Sequence, residues 1–472
     1  AVVAGELLQN AHRRQSVPRP LYQKIIGMKT GALFGLSLAL PSILANDPLR
    51  PEIQELGNRL GSFYQMLDDF LDYCQWASSG KIPYTDYRSG VWTFVAAEIK
   101  GFSFGWEPKI LQERLAENKC ASLARALAVF QNEADFLVAK VRLYFGADSS
   151  LEAIVRGWLE RAEKAFETEK SHFLLEDILI RRYPSGNEGA FFSRNSRSFS
   201  FASLFFPKRI REKITRLYAF CRITDDLADG EVGLEDAERS GVLETWRRLA
   251  CRSHQGEQTF FPVLDAVMGD MREGKVPFRY AEELIAGALM DQRPRLYETR
   301  SDLALYTYRV ASVVGQWITE LSGCHDPETL VEAARLGHAM QMTNILRDVG
   351  EDLRLGRIYL PEDSLREFDL RSHYLRDFST RPIHPVYASA IEALLRETEA
   401  EYERAFRAIP KLHPAFRIPV AMAAEIYRGI HDEIRKNGYD HFSLRARVGF
   451  FTKLKLASRA LVKLYRVSRK TH

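Results

Sequence analysis

The sequence predicts an all-α protein. Three observations carry this. Apolar residues recur at three- and four-residue spacing, as in EIQELGNRLGSFYQMLDDFLDY and ALLRETEAEYERAFRAI. Strand-type alternation bounded by turns is scarce. Long stretches consist of good helix formers. Hydrophobic residues make up 46% and charged residues 27% of the 472, which excludes a disordered chain, a collagen and a coiled-coil rod. At roughly 100–200 residues per domain, the length allows two to four domains.

Lys and Arg number 66 against 62 Asp and Glu, a formal net charge of +4. This gives no footing for nucleic-acid binding, and none is expected. The cysteines Cys74, Cys120, Cys221, Cys251 and Cys324 lie far apart with no C-x-x-C pair. No zinc or redox motif is therefore expected, and a reduced cytosol is the expected compartment. The chain opens at Ala1, not Met, inside a helical pattern. We expect sequence ahead of it, which leaves a targeting segment open. The longest apolar run, Gly31 to Ala45, is broken by Ser37, Pro41 and Ser42. It is shorter than the ~20 residues of a membrane span, and a buried core helix is expected there.

Residues 1–167 and 191–472 read as two modules, each with its own acidic motif. The connection at 168–190 holds Pro184, Ser185, Gly186, Asn187 and Gly189, which is loop chemistry.

In the first module, GSFYQMLDDFLDY places Asp68 and Asp72 on one helical face, with Asp69 beside them and Gln65 one turn earlier. Like charges at this spacing in an otherwise apolar helix call for a cation. Magnesium suits hard carboxylate oxygens completed by substrate phosphates. A solvated acidic face or arginine pairing stays open for this motif alone. Around it stand GELLQN, then YQKIIGMKTGALF with Lys29 and Thr30, and SSGKIPYTDYRSG with Lys81 and Asp86.

This ensemble, Gly5 to Thr93, resembles the C-terminal half of a trans-polyprenyl diphosphate synthase. The resemblance implies that Lys29, Thr30, Gln65, Asp68, Asp69, Asp72 and Lys81 hold diphosphate and magnesium. Two departures stand out. The family's first aspartate-rich motif, which ionises the allylic substrate, is absent, and Val91 stands where a G-K-x-T pattern has lysine. An incomplete module without elongation activity is expected. A longer gene product would instead be a bifunctional enzyme that makes and then couples its own substrate.

In the second module, LYAFCRITDDLAD carries Asp225, Asp226 and Asp229 on one helix, with Tyr218 and Arg222 on the same stripe. MQMTNILRDVGEDLRLGRIYLP carries Asn344, Asp348 and Asp352 at four-residue spacing, with Gln341 and Arg347 nearby. Two carboxylate stripes in apolar helical patterns, facing each other across a bundle, would form a funnel for magnesium ions.

NSRSFSFASLFFP, YAFCRITDDLAD, YRVASVVG, NILRDVGEDLRLGRIYLP and IYRGIHDEIRKNGYD together resemble the squalene/phytoene synthase family. The resemblance implies an isoprenoid-synthase-type helical bundle over 191–472, preceded by a partial bundle of the same class. It implies that Asp225, Asp226, Asp229, Asn344, Asp348 and Asp352 bind magnesium diphosphate, manganese being an alternative ion. Of these, Asp225, Asp229, Asn344, Asp348 and Asp352 would be the metal ligands. Ser196, Ser198, Tyr218, Arg222, Gln341 and Arg347 would contact diphosphate or shape its pocket. Phe199, Tyr218 and Tyr306 are candidates for cation–π contact with the reacting chain, against ordinary core packing. Ser312 stands where the family often has glycine.

The implied reaction joins two prenyl diphosphates head to head through a cyclopropyl intermediate. Two twenty-carbon substrates would give phytoene in carotenoid biosynthesis. Squalene or dehydrosqualene from fifteen-carbon substrates is the alternative, with NADPH required only for squalene. A non-catalytic assembly protein is a further alternative, opposed by retention of every acidic ligand. Oligomeric state is left open. The tail from Arg445 to Lys470 is basic and amphipathic. Peripheral contact with an anionic membrane is expected of it, against a solvated bundle helix.

Overall fold

Local rules start and stop the helices. Proline opens several first turns, where its missing N–H costs nothing. Asp326 accepts the Thr329 N–H at 3.0 Å ahead of a long helix, and Thr299 and Asp302 cap each other's backbone. The computed structural model describes residues 1–76, 83–183, 205–229, 233–292, 295–372, 375 and 383–469. Every regular element among them is helical, as the periodicity predicts. The helices gather into two units, Ala1–Asp177 and Ile178–His472.

The first unit holds α1 (Val2–Ala11), α2 (Arg19–Ile26), a π-helical turn at Gly27–Gly31, α3 (Ala32–Leu44), α4 (Arg50–Asp72), the short α5 (Thr85–Ser89) and α6 (Phe94–Glu98), α7 (Pro108–Phe145) and most of α8 (Ser150–Arg182). Helices α3 and α4 meet through glycines. A Cβ on Gly57 would lie 2.7 Å from the Gly35 Cα, and one on Gly61 would lie 2.8 Å from the Gly31 Cα. This contact corrects the expectation of a buried helix at 31–45. Because α3 docks by its small residues, Leu33, Leu36, Leu40 and Leu44 face outward. Arg19–Leu44 is long and apolar enough to cross a membrane by length and composition, with 33% of its most apolar window buried.

The expected connection at 168–190 is also corrected. Helix α8 continues to Arg182, since EKSHFLLEDILIRR contains no breaker before Pro184. The expected loop residues 184–189 lie outside the described residues.

The second unit contains α9 (Lys208–Asp229), α10 (Asp236–His254), α11 (Pro262–Glu273), α12 (Arg279–Met290), α13 (Arg300–Thr307), a π-helical turn at Tyr308–Ser312, α14 (Val313–Leu321), α15 (Pro327–Arg354), α16 (Glu362–Arg366), α17 (Pro385–Phe406), α18 (Pro414–Lys436) and α19 (Phe450–Ser468). Helix α9 anchors one face in the core. Phe220 stacks on Trp246 at 5.3 Å, and the Trp246 indole N–H donates to Thr224 Oγ1 at 3.0 Å. Helix α15 is anchored through Thr343, whose hydroxyl pairs with Tyr402 and His431, both at 2.9 Å. The remaining faces of α9 and α15 are thereby turned toward the unit's interior cavity. Where the π-helical turn crosses α15, Gly337 is required: a Cβ there would lie 2.4 Å from the Ala311 carbonyl oxygen. The same gap accommodates buried Ser312.

Tyr183, just after α8, donates to buried Asp226 at 2.5 Å. A fragment Ile178–His472 is therefore expected to unfold cooperatively on its own. One begun at Phe191 should unfold at lower denaturant, lacking this contact. Urea titrations followed by circular dichroism compare the two, and equal midpoints would remove Tyr183 from the account.

Candidate active site

The second unit holds a half-open cavity of about 280 Å³. Its walls are mostly aliphatic, from α9, the π-helical turn, α14, α15 and α18, with Tyr218, Gln341, Asn344 and Tyr427 among the polar exceptions. The helical period then does the rest. One and two turns beyond Cys221 on α9 come Asp225 and Asp229. One and two turns beyond Asn344 on α15 come Asp348 and Asp352. Each stripe passes from an apolar lining to carboxylates at a helix C-terminus. There the backbone dipole disfavours negative charge and favours a cation.

Arg357, just after α15, joins the two acidic ends. Its guanidinium donates to Asp229 at 2.7 Å, and its backbone N–H donates to the Asp352 carbonyl at 2.8 Å. Asp291 also stands between the motifs, and sequence reasoning missed it. Tyr306 and Tyr359 each donate to its carboxylate at 2.8 Å. Its charge is felt at both Asp225 and Asp352. The available signal was weak, a lone Asp at the end of an apolar helix.

The electrostatics suit a cation. Solvent reaches Asp225, yet the crowding protein pushes its carboxyl up to about 7, with Asp229 adding repulsion. Burial and Asp348 push Asp352 up to about 7. Burial pushes Asp291 up to about 6 despite its two tyrosine donors. Among the described residues no three His, Cys, Asp or Glu side chains converge to cage one ion. A hard divalent cation held by one or two carboxylates and completed by phosphate oxygens needs no such cage. The donor set therefore fits such a cation, and Asp225, Asp229, Asn344, Asp348 and Asp352 are residues that could hold it.

Between about pH 4 and 7 the folded chain binds more protons at these carboxyls than the unfolded chain does, so their contribution falls as pH rises through that window. Divalent metal is expected to raise Tm, and by more at pH 8 than at pH 5.5. Scanning calorimetry reads the difference, and an equal increment at both values would refute the metal assignment.

The structure also separates residues the sequence had grouped. Asp226 is buried and turned away from Asp225, held by Tyr183 and by Arg222 at 2.6 Å. We read it as a positioning residue for Arg222. Tyr306 is buried in a stack with Tyr359, ring centroids 5.0 Å apart, and supports Asp291 instead of lining the cavity. Tyr218 lines the cavity. Asn344 donates to Gln341 at 3.1 Å. Arg347 donates to Asp348 at 2.8 Å, and Arg445 reaches Asp348 at 3.1 Å and Glu351 at 3.0 Å. Arg445 is thus part of the acidic site, not of a free basic tail. Ser196, Ser198 and Phe199 lie outside the described residues.

The first unit holds a smaller polar recess. The π-helical turn presents Lys29 and Thr30. Lys29 donates to Gln9 at 3.0 Å and pairs with Glu6 at 3.3 Å, and Thr30 donates to Gln65 at 2.7 Å. Gln65 passes the chain on to Asp69 at 2.9 Å, where Tyr22 also donates at 2.7 Å. Asp69 is therefore turned inward while Asp68 is exposed. Asp72 accepts the backbone N–H groups of Thr85 and Asp86, both at 2.9 Å. Burial pushes Asp69 up to about 6 and Asp86 up to about 7. Val91 lines this recess beside Lys29, and Lys81 lies outside the described residues.

Residues 192–452 match the family model described as squalene/phytoene synthase, and residues 1–129 match that described as polyprenyl synthetase. A phytoene synthase of Cereibacter sphaeroides is 38% identical over 258 residues, covering 53% of this chain and 72% of the relative. One of Thermus thermophilus is 33% identical over 271 residues, covering 57% and 89%. A crystal structure of a dehydrosqualene synthase in complex with ligand superposes with a TM-score of 0.54 at 28% identity, covering 64% of this chain and 99% of that one.

Proposed function

The chain belongs to the squalene/phytoene synthase family, and we propose on that footing that it joins two twenty-carbon prenyl diphosphates head to head to make phytoene. The observation that supports this best is the pair of carboxylate stripes, joined through Arg357 and Asp291, at the end of a largely apolar cavity. Diphosphates lodge at the acidic end and prenyl chains extend along the aliphatic walls. Arg222, Arg347 and Arg357, each paired with one carboxylate, supply donors for the phosphate oxygens. What a divalent cation supplies when bound, magnesium or manganese in our reading, is neutralisation of the leaving diphosphate.

Cleavage of one substrate's C–O bond releases diphosphate and an allylic cation. The other substrate's double bond attacks it, a proton is lost, and a cyclopropyl ring closes. A second loss of diphosphate, rearrangement and loss of a proton give the hydrocarbon. The apolar walls exclude water that would quench these cations. Tyr218, which lines the cavity, is our candidate for cation–π contact.

The dehydrosqualene synthase likeness favours a second reading, coupling of fifteen-carbon substrates. Incubation with labelled twenty- and fifteen-carbon diphosphates and divalent metal, with and without NADPH, separates the two. A forty-carbon hydrocarbon made without NADPH is expected. A product from the fifteen-carbon substrate alone would select the second reading, and no hydrocarbon from either would overturn both. Adding isopentenyl diphosphate and an allylic primer to an Asp225→Asn variant tests the first unit, for which we expect no lengthened diphosphates. Elongation lost on Asp68→Asn would contradict that. The hydrocarbon product has no polar handle, so a lipid phase is its natural destination, and we infer peripheral membrane contact through the basic terminal helix.

A further inference from the structure

Tyr183 lies between the two matched segments, 1–129 and 192–452, yet its phenol meets the first acidic motif of the second unit. Helix α8 delivers it there. The Tyr183 backbone N–H donates to the Leu179 carbonyl at 3.0 Å, and Ile178 and Leu179 are buried. The Tyr183 ring is buried as well. Its place is therefore set by a helix end and not by a loose connection.

From that place Oη donates to Asp226 Oδ2 at 2.5 Å. The other carboxylate oxygen, Oδ1, lies 2.6 Å from Arg222 Nη2. Asp226 cannot turn to water, because it shares a buried helical face with Ile223 and Leu227. Arg222 is half-buried, and its charge is felt at Tyr218 in the cavity wall and at Asp225. One guanidinium thus stands between a buried carboxylate and the candidate diphosphate site.

An arginine beside a carboxylate favours two parallel N–H···O bonds, one to each oxygen. Every N–H committed in that way is withdrawn from a phosphate. The phenol on Oδ2 competes for the second oxygen and leaves Oδ1 to Arg222. We propose that Tyr183 is a positioning residue for the coupling reaction: by holding Asp226 Oδ2 it keeps the Arg222 fork available to diphosphate. The proposal rests on the reading of Arg222 as a phosphate donor, and not on which hydrocarbon is made.

Calorimetric titration of the full chain with inorganic pyrophosphate and excess magnesium tests it without a prenyl substrate. The first unit is unaltered in every variant, so any pyrophosphate bound there is common to all arms. Tyr183→Phe keeps the ring and is expected to weaken binding roughly 10-fold, the usual effect of losing one charge-assisted hydrogen bond. Arg222→Lys keeps a charge beside Asp226 but not the fork, and should also weaken binding on the order of 10-fold. Adding Tyr183→Phe to Arg222→Lys should then cost no more than about 2-fold, because a lysine has no fork to close on the carboxylate. Losses that multiply in the double variant would overturn the proposal. So would a Tyr183→Phe variant with a lower Tm and unchanged affinity, which is the mark of a purely structural tyrosine. In that case a weakened Arg222→Lys would leave Arg222 its role, and only the proposal would fall. Unchanged affinity in Arg222→Lys, or no pyrophosphate binding by the unaltered chain, would overturn the reading of Arg222 and the proposal with it.

Discussion

Asp225→Asn is expected to lower turnover roughly 100–1,000-fold, the usual cost of removing one member of a preorganised electrostatic site, without loss of fold. Among the described residues Asp225 makes no hydrogen bond or close ion pair that the change would break. Its carboxyl is pushed up to about 7 by its surroundings and by Asp229, so the folded chain holds its charge at a disadvantage. Removing that charge should leave Tm unchanged or higher in metal-free buffer at pH 8. Asp348→Asn should lose activity to a similar degree, because Asp348 is the carboxylate on which Arg347 and Arg445 converge. Steady-state assays beside thermal melts separate the two effects. Turnover near wild type in either folded variant would refute the assigned roles.

The neighbouring change, Asp226→Asn, is expected to behave in the opposite sense. Asp226 is buried, accepts from Tyr183 at 2.5 Å and pairs with Arg222 at 2.6 Å. Removing one partner of a buried ion pair leaves the other charge uncompensated, at 3–5 kcal/mol for a fully buried pair. The Arg222 side chain is 28% exposed, so we expect about 3 kcal/mol, toward the lower end of that range. Urea unfolding should show the loss directly. Activity should fall too, but through a displaced Arg222. Unaltered stability would mean that Asp226 serves the substrate and not the fold. Adjacent aspartates in one motif thus have distinguishable signatures: one variant inactive and stable, the other destabilised.

Much of the site was legible before any coordinates. Carboxylates at four-residue spacing inside apolar helical patterns can share only one face, and burying that face unpaired is too costly to be accidental. The positions of Asp225, Asp229, Asn344, Asp348 and Asp352 could be read that way, and so could the helical class. Asp291 could not, because a single acid at a helix end carries no periodic signal. Tyr306 could not be told from a cavity aromatic, since its partner lies 15 residues earlier across a turn. Arg445 read as one more tail cation because its target, Asp348, is 97 residues away.

The sequence by itself determined that the chain is helical, which residues share a helical face, and where the acidic motifs lie. These follow from a repeat of 3.6 residues per turn and need only neighbouring positions. Tertiary structure alone decided what each face meets. It turned Asp226 to Arg222 and Tyr183, set Arg357 on Asp229 from 128 residues away, and sent the α3 leucines outward. The reason is that the period fixes directions around a helix axis but not the neighbour in a given direction. On α3 the glycines allowed a closer approach than the leucines did, so the small face went inward.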